Sequence, residues 1–314
     1  MAIVRVAMMQ RDEGTALARW IAHYAWLFGF ENLTILDNGS LDPQTIAILD
    51  SAEKRGVVVR RDLNQPHDFH NKGGHFTNII HSWDGNHDYD FALPVDCDEL
   101  LAIFTEDGLS LDKTAIHAGL DALKGTDCAL RIDTSLFNVP GRPGWYAPVR
   151  HFHKGFVAAK TISVCDNGQH EPRSAIRDEF KSTALTYLHD HHVPYQAWRA
   201  RLKNKVSGLV DADDETALRT YLAQPHAEGA HAVEALLTTA EEYAHLYDNS
   251  VRVFIGAGST PINFVEGPGL PTTLWNHDAY LEANPDVKKH YTIGALQHYL
   301  RDGFRENRAL YPTD

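Results

Sequence analysis

Apolar positions change their spacing along the first sixty residues in a way that alternates strand with helix. Ile3 to Met8 is an apolar run interrupted only by Arg5, and it stops at Gln10-Arg11-Asp12-Glu13-Gly14, as a buried strand stops at a polar loop. From Thr15 the spacing turns to three and four residues, with Leu17, Trp20, Ile21, Tyr24, Leu27 and Phe28 on one helical face and Gly29 as the stop. Leu33 to Leu36 predicts a second strand ending in the turn formers Asp37-Asn38-Gly39-Ser40. Asp42-Pro43 opens a second helix through Ile46, Ile48 and Leu49, and Val57 to Val59 predicts a third strand.

Strand and helix in alternation imply an α/β fold with parallel pairing and right-handed crossovers. Ligands in such sheets bind beyond the carboxyl ends of the strands, where Gln10–Gly14 and Asp37–Ser40 both fall. Phe91 to Val95 predicts a further strand running into Asp96-Cys97-Asp98-Glu99, with Leu100 to Phe104 apolar enough to pair beside it. A helix over Leu111 to Leu123, a strand over Cys128 to Ile132 and a surface turn at Pro140–Gly144 continue the pattern.

The character shifts after Lys205. Residues from about Ala212 to Tyr247 are Ala-rich, acidic and helically spaced, and Trp275 to Arg308 suggests a small unit with helices at Ala279–Leu281 and Ala295–Leu300. The expected organisation is a domain over 1–205, a helical region over 206–274 packed on it, and a small helical module over 275–314.

Composition narrows the function classes. Among 314 residues, 29 are basic and 42 acidic, a formal charge of −13, which argues against sequence-independent nucleic-acid binding. No stretch approaches the roughly 18 uninterrupted apolar residues of a membrane helix, and no secretory leader is recognisable, so a cytoplasmic protein without an integral membrane segment is expected. Cys97, Cys128 and Cys165 lack CxxC spacing and read as small buried residues.

Asp96 and Asp98 carry the sharpest chemical signal. Two carboxylates one residue apart at the end of a strand can meet one divalent cation, and oxygen ligands suit Mn2+ or Mg2+, which bridge phosphate oxygens. Gln10, Arg11 and Glu13 are placed to line the rim of a nucleotide pocket, Asp37 to accept hydrogen bonds from a base or ribose, and Lys72, in Asn71-Lys72-Gly73-Gly74, to meet phosphate. The glycines form neither a P-loop nor a GxGxxG fingerprint.

Arg11-Asp12-Glu13, Trp20-Ile21-Ala22-His23-Tyr24, Gly29, Asp37-Asn38-Gly39-Ser40 and Asp96-Cys97-Asp98-Glu99, in that order and spacing, resemble the family 2 and family 92 type glycosyltransferases of the A-type fold. Lys160-Thr161-Ile162, Gly168-Gln169-His170-Glu171-Pro172 and the block holding His189, Trp198 and Arg201 extend the resemblance; Asp190, Pro194 and Leu100 depart from the usual residues. The resemblance implies a Rossmann-like mixed sheet flanked by helices. The first loop and Asp37 would hold a nucleotide, Asp96 and Asp98 the metal and diphosphate of a nucleotide-sugar donor, and His189 would be a further metal ligand, against its reading as part of a polar loop with His191 and His192. Residues 275–308 resemble a module appended to bacterial carbohydrate-active and surface-polysaccharide proteins. The activity implied is metal-dependent inverting transfer from a nucleotide diphosphate donor, a uridine one, to a saccharide acceptor in polysaccharide biosynthesis. Inversion needs a base near the acceptor hydroxyl, for which Glu171 and Asp178 are the candidates. A non-catalytic sugar-nucleotide or carbohydrate-binding protein, and a metal phosphoesterase using His189, His191 and Asp98, are the alternatives.

Overall fold

Seven successive buried residues make the first strand, β1 (Val4–Gln10). Val4, Val6 and Met8 enter one apolar cluster while Ala7 and Met9 enter another, because alternate side chains leave a strand on opposite faces and both faces are covered. In the computed structural model this strand lies inside a seven-stranded sheet; the structure describes residues 1–150, 152–225, 229–256, 261–290 and 294–312. Residues 226–228 and 291–293, within the expected helical region and C-terminal module, lie outside the described residues.

Helix α1 (Gly14–Phe28) buries Leu17, Trp20, Ile21, Tyr24, Leu27 and Phe28, the stripe its spacing predicts. Strand β2 (Leu33–Asp37) leads into α2 (Pro43–Glu53), whose first turn is capped by the Asp42 carboxylate accepting from the Thr45 amide at 2.8 Å. There follow β3 (Val58–Arg60), α3 (Pro66–His70), α4 (Lys72–Asn86) and β4 (Phe91–Pro94). Strands β2 and β4 flank β1 in parallel, with Gln10 opposite Asp37 and Ala7 opposite Pro94, so their carboxyl ends open on one edge. Helices α1 and α2 cover one face, and α4 covers the other through Phe76, Ile79, Ile80 and Trp83.

The chain then continues through β5 (Glu99–Phe104), β6 (Leu109–Ser110), α5 (Lys113–Asp121), β7 (Cys128–Ile132), β8 (Ser135–Asn138), β9 (Trp145–Val149) and β10 (Lys154–Ala158). Strands β11 (Ile162–Val164), β12 (Arg173–Ser174), β13 (Arg177–Ser182) and β14 (Leu185–His189) complete this half. The seven-stranded sheet runs β13-β7-β10-β4-β1-β2-β3, with β10 antiparallel to β4 and β7. The expected pairing of Leu100–Phe104 beside β4 does not occur. β5 instead pairs with β14 and β6, because the Asp96–Asp98 turn carries the chain out of the first sheet.

Helix α6 (Tyr195–Lys205) falls within the expected first domain; beyond it, α7 (Glu215–Leu222), α8 (Ala230–Leu236) and α9 (Ala240–Ala244) satisfy the helical reading as far as residue 244 among the described residues. The remainder of 206–274 does not: β15 (Arg252–Ile255), β16 (Asn263–Gly267) and β17 (Leu270–Leu274) extend an eight-stranded sheet ordered β17-β16-β15-β9-β8-β14-β5-β6. Phe254 opposite Phe264 and Val253 opposite Val265 supply the cross-strand pairs that hold them there. The C-terminal helices α10 (His277–Ala283), α11 (Pro285–His290) and α12 (Ala295–His298) pack Tyr280, Val287 and Leu296 into the same cluster as Leu100 and Val253, so the module shares the core of this sheet.

The result is a mixed α/β architecture of multi-stranded mixed sheets flanked by helices. The three cysteines are free and buried, and among the described residues no helix is long and apolar enough to cross a membrane.

Gly73, in the first turn of α4, packs against the backbone at Cys165 and Asp166. A Cβ on Gly73 would lie 2.3 Å from the Cys165 carbonyl oxygen and 2.6 Å from the Asp166 carbonyl carbon, both backbone atoms that cannot swing aside. Gly73→Ala is therefore expected to cost about 1–3 kcal/mol in urea unfolding. A cost below about 0.5 kcal/mol, the usual span of a neutral surface change, would contradict this tight approach.

Candidate metal centre and adjoining cleft

The turn after β4 and the end of β14 are brought together by backbone pairing. In the β5–β14 ladder His189 stands opposite Glu99, and the Asp190 amide donates to the Asp98 carbonyl at 2.7 Å. His189 Nε2 consequently lies 3.1 Å from Asp98 Oδ2, and its Nδ1 lies 3.7 Å from Glu99 Oε1. His191, two residues on, returns to the same side. One donor atom each from Asp98, His189 and His191 lie within 4.8 Å of one another. The rings are positioned by Phe137, whose centroid is 4.4 Å from that of His189 and 5.0 Å from that of His191.

The charges on this trio suit a cation. Burial pushes the His189 imidazole toward neutrality, but its hydrogen bond to Asp98 and the Glu99 charge outweigh this and raise its pKa. Burial likewise works against the Asp98 carboxylate, yet His189 holds it below the ordinary range. Burial and the neighbouring His189 lower His191 to about 4, so at neutral pH its lone pair is available. A cation here would replace the proton shared between Asp98 and His189, with Glu99 orienting the ring from behind.

Asp96 faces a different way. Its Oδ1 takes the Lys72 ammonium at 2.7 Å and its Oδ2 the Lys154 ammonium at 2.8 Å. Burial opposes its ionisation, but the two lysines hold its carboxyl well below the usual range. Lys154, only 2% exposed, also lies 3.1 Å from Oε1 of Glu99, which is fully buried. Of the residues expected at the metal and the phosphate, Asp96 lies outside the clustered donors and Lys72 meets the Asp96 carboxylate. Both oxygens of Asp96 are already neutralised by ammonium groups.

Gln10 and Asp37 occupy the edge next to this centre. At neighbouring-strand spacings of about 4.8 Å, the ends of β2 and β4 are about 10 Å apart, on either side of β1. Asp37 Oδ1 accepts from Gln10 Nε2 at 2.8 Å and from Ser40 Oγ at 2.5 Å. Gln10 Oε1 in turn accepts from the Glu13 amide at 3.3 Å. Both side chains are buried, so they first tie the two loops together, and among the described residues the hydrogen bonds to the Asp37 carboxylate fall on Oδ1. Asp12, left-handed at φ 55°, adds to that tie: its Oδ1 accepts from the Leu41 and Asp42 amides at 2.7 and 2.8 Å. Arg11 is exposed at the loop tip, 3.9 Å from Asp12.

A cleft of about 430 Å3 opens from Asp98 between α1 and the segment linking β14 to α6, with Glu13, Arg19, Asp190 and Arg201 on its walls. Burial raises the Glu13 carboxyl; Arg201, 3.7 Å away, opposes this, and Asp98 and Asp96 reinforce it. Asp190 is paired with Arg19 and accepts from the Tyr146 hydroxyl at 3.3 Å.

The two carboxylates expected to serve as base do not line this cleft. Glu171 is exposed, 3.8 Å from His153. Asp178 is exposed on the edge strand β13, bonded to Arg173 at 3.4 Å and separated from β4 by β7 and β10. The partnerships of Glu99, Lys154 and Asp190 emerge only in three dimensions, whereas Asp98, His189 and His191 are the set named in the phosphoesterase alternative. For His191 a signal was present, since residues two apart at a strand end share a face. Neither a protein-family model nor a curated protein matches this chain.

Proposed function

We propose that the protein is a metal-dependent inverting glycosyltransferase of the A-type fold, using a uridine diphosphate donor and a saccharide acceptor. The observation that carries this reading is the meeting of Asp98, in the turn after β4, with His189 and His191 from the end of β14, β4 and β2 being the strands that flank β1. Asp98, His189 and His191 would hold the cation, and two imidazoles beside one carboxylate favour Mn2+ over Mg2+. When bound, such a cation supplies charge to a departing diphosphate. The Gln10–Asp37–Ser40 tie joins the loops that follow β1 and β2, and Asp37 would accept from a nucleoside. Glu13, in the cleft next to Asp98 and raised in pKa, replaces Glu171 and Asp178 as the carboxylate suited to take the acceptor's proton.

The test is release of uridine diphosphate from a panel of uridine diphosphate sugars with Mn2+ and oligosaccharide acceptors. Turnover that needs both metal and acceptor supports the reading; inertness toward every donor while simple phosphate esters are cleaved supports the metal phosphoesterase instead. That second reading is favoured by one fact, the imidazole-rich donor set of Asp98, His189 and His191.

Proton competition gives a separate check. Because the His189 pKa is raised above 6.5, the imidazolium competes with a cation at and below neutral pH. Mn2+ affinity should fall about tenfold per pH unit below that pKa and level off above it, with about one proton released per ion bound. An affinity independent of pH between about 6 and 8, where an imidazole changes charge, would exclude His189 as a ligand.

A further inference from the structure

On the other side of the first sheet, α4 and the β2–β3 edge enclose a cavity of about 300 Å3. Arg5, Arg60, His75 and His87 line it, and among the described residues no carboxylate does. Arg5 decides its character. The residue is 7% exposed, its guanidinium carbon sits 5.0 Å from the Trp83 ring centroid, and its Nε has no hydrogen-bond partner. Among the described residues no carboxylate lies within ion-pair distance of it, whereas Arg60 is bonded to Asp62 and His75 lies 3.2 Å from Asp68. A guanidinium remains charged at any physiological pH, and burying one without an anion is costly. The fold tolerates that cost beside a cavity that is cationic and large enough for a small molecule.

We propose that this cavity is a second ligand site, taking a small organic phosphate whose dianionic head pairs with Arg5 and whose body lies along Trp83 and Ile79. A guanidinium fork matches phosphate oxygens two at a time. Thr34 on β2 and Asn78 and Ser82 on α4 add hydroxyl and amide groups at the wall and mouth. Arg5 lies five residues before Gln10, about 16 Å back along the strand, so the site is separate from the Asp98 centre and does not depend on the sugar-transfer reading.

The experiment titrates the full chain, in EDTA, with inorganic phosphate and with glucose 1-phosphate, reading melting temperature and calorimetric Kd. The expected result is saturable binding, tighter for the ester, that Asp98→Asn leaves unchanged. Arg5→Met should weaken it about tenfold or more, the equivalent of one lost charge-assisted contact. The same variant should melt no lower than the parent when no ligand is present, since it removes an unpaired buried charge. Ser82→Phe, an exposed position at the mouth, should block binding while leaving Arg5 in place, which keeps the test valid if Arg5→Met does not fold. No response of the parent to either probe, or equal affinity in both variants, overturns the site. Equal affinity for phosphate and its ester overturns the organic-phosphate assignment.

Discussion

Asp98→Asn is expected to lower Mn2+-dependent turnover of the nucleotide-sugar donor by about 10³-fold or more, in the range seen when a single charge-stabilising group is removed from an active site. Among the described residues Asp98 is the one carboxylate in the donor cluster, both oxygens of Asp96 being engaged by Lys72 and Lys154. Asparagine keeps the shape and can still meet His189, so the fold should survive while the charge is lost. Mn2+ affinity should fall with turnover. Donor release by the variant at the parent rate, with Mn2+ still bound, would remove Asp98 from the mechanism.

Lys154→Met is expected to have the largest effect on stability. Lys154 is almost fully buried and serves both Asp96, at 2.8 Å, and Glu99, at 3.1 Å. Burial alone would lower its pKa, but the two carboxylates outweigh this and raise it. Removing the ammonium leaves the fully buried Glu99 with the Asp96 amide at 3.1 Å and His189 at 3.7 Å, and leaves Lys72 as the one cation on Asp96 among the described residues. Breaking a buried ion pair on one side costs about 3–5 kcal/mol. Glu99→Gln combined with Lys154→Met should recover part of that loss, because it also discharges the stranded partner. Urea unfolding of the single and double variants measures both; a single variant within about 0.5 kcal/mol of the parent would mean that the network contributes nothing.

Local pattern made the first half of the seven-stranded sheet legible. An apolar run through Ile3–Met8 and a spacing of three and four residues through Leu17–Phe28 are properties of short segments, and each was enough to place β1 and α1. The end of β4 in an acidic triplet was legible for the same reason. What the pattern does not carry is which strand pairs with which: β5 looks like a neighbour of β4 and joins β14, about ninety residues later. β15–β17 follow an Ala-rich helical stretch and find partners only through β9. The site divides in the same way. Asp98 and His189 were readable as ligand types, whereas the capture of Asp96 by Lys154 spans 58 residues and depends on β10 entering the sheet antiparallel beside β4. Glu171 and Asp178 were chosen by chain position, and chain position does not reveal that β13 lies at the sheet's far edge.

Sugar transfer as proposed requires that the Asp98, His189 and His191 centre bind a divalent ion together with a nucleoside diphosphate. Calorimetric titration of uridine diphosphate, with and without saturating Mn2+, tests this most directly. One molecule bound per chain, with affinity at least about tenfold tighter when Mn2+ is present, is the predicted result and corresponds to about 1.4 kcal/mol of coupling. Binding that is indifferent to Mn2+, or no binding in either condition, would contradict it.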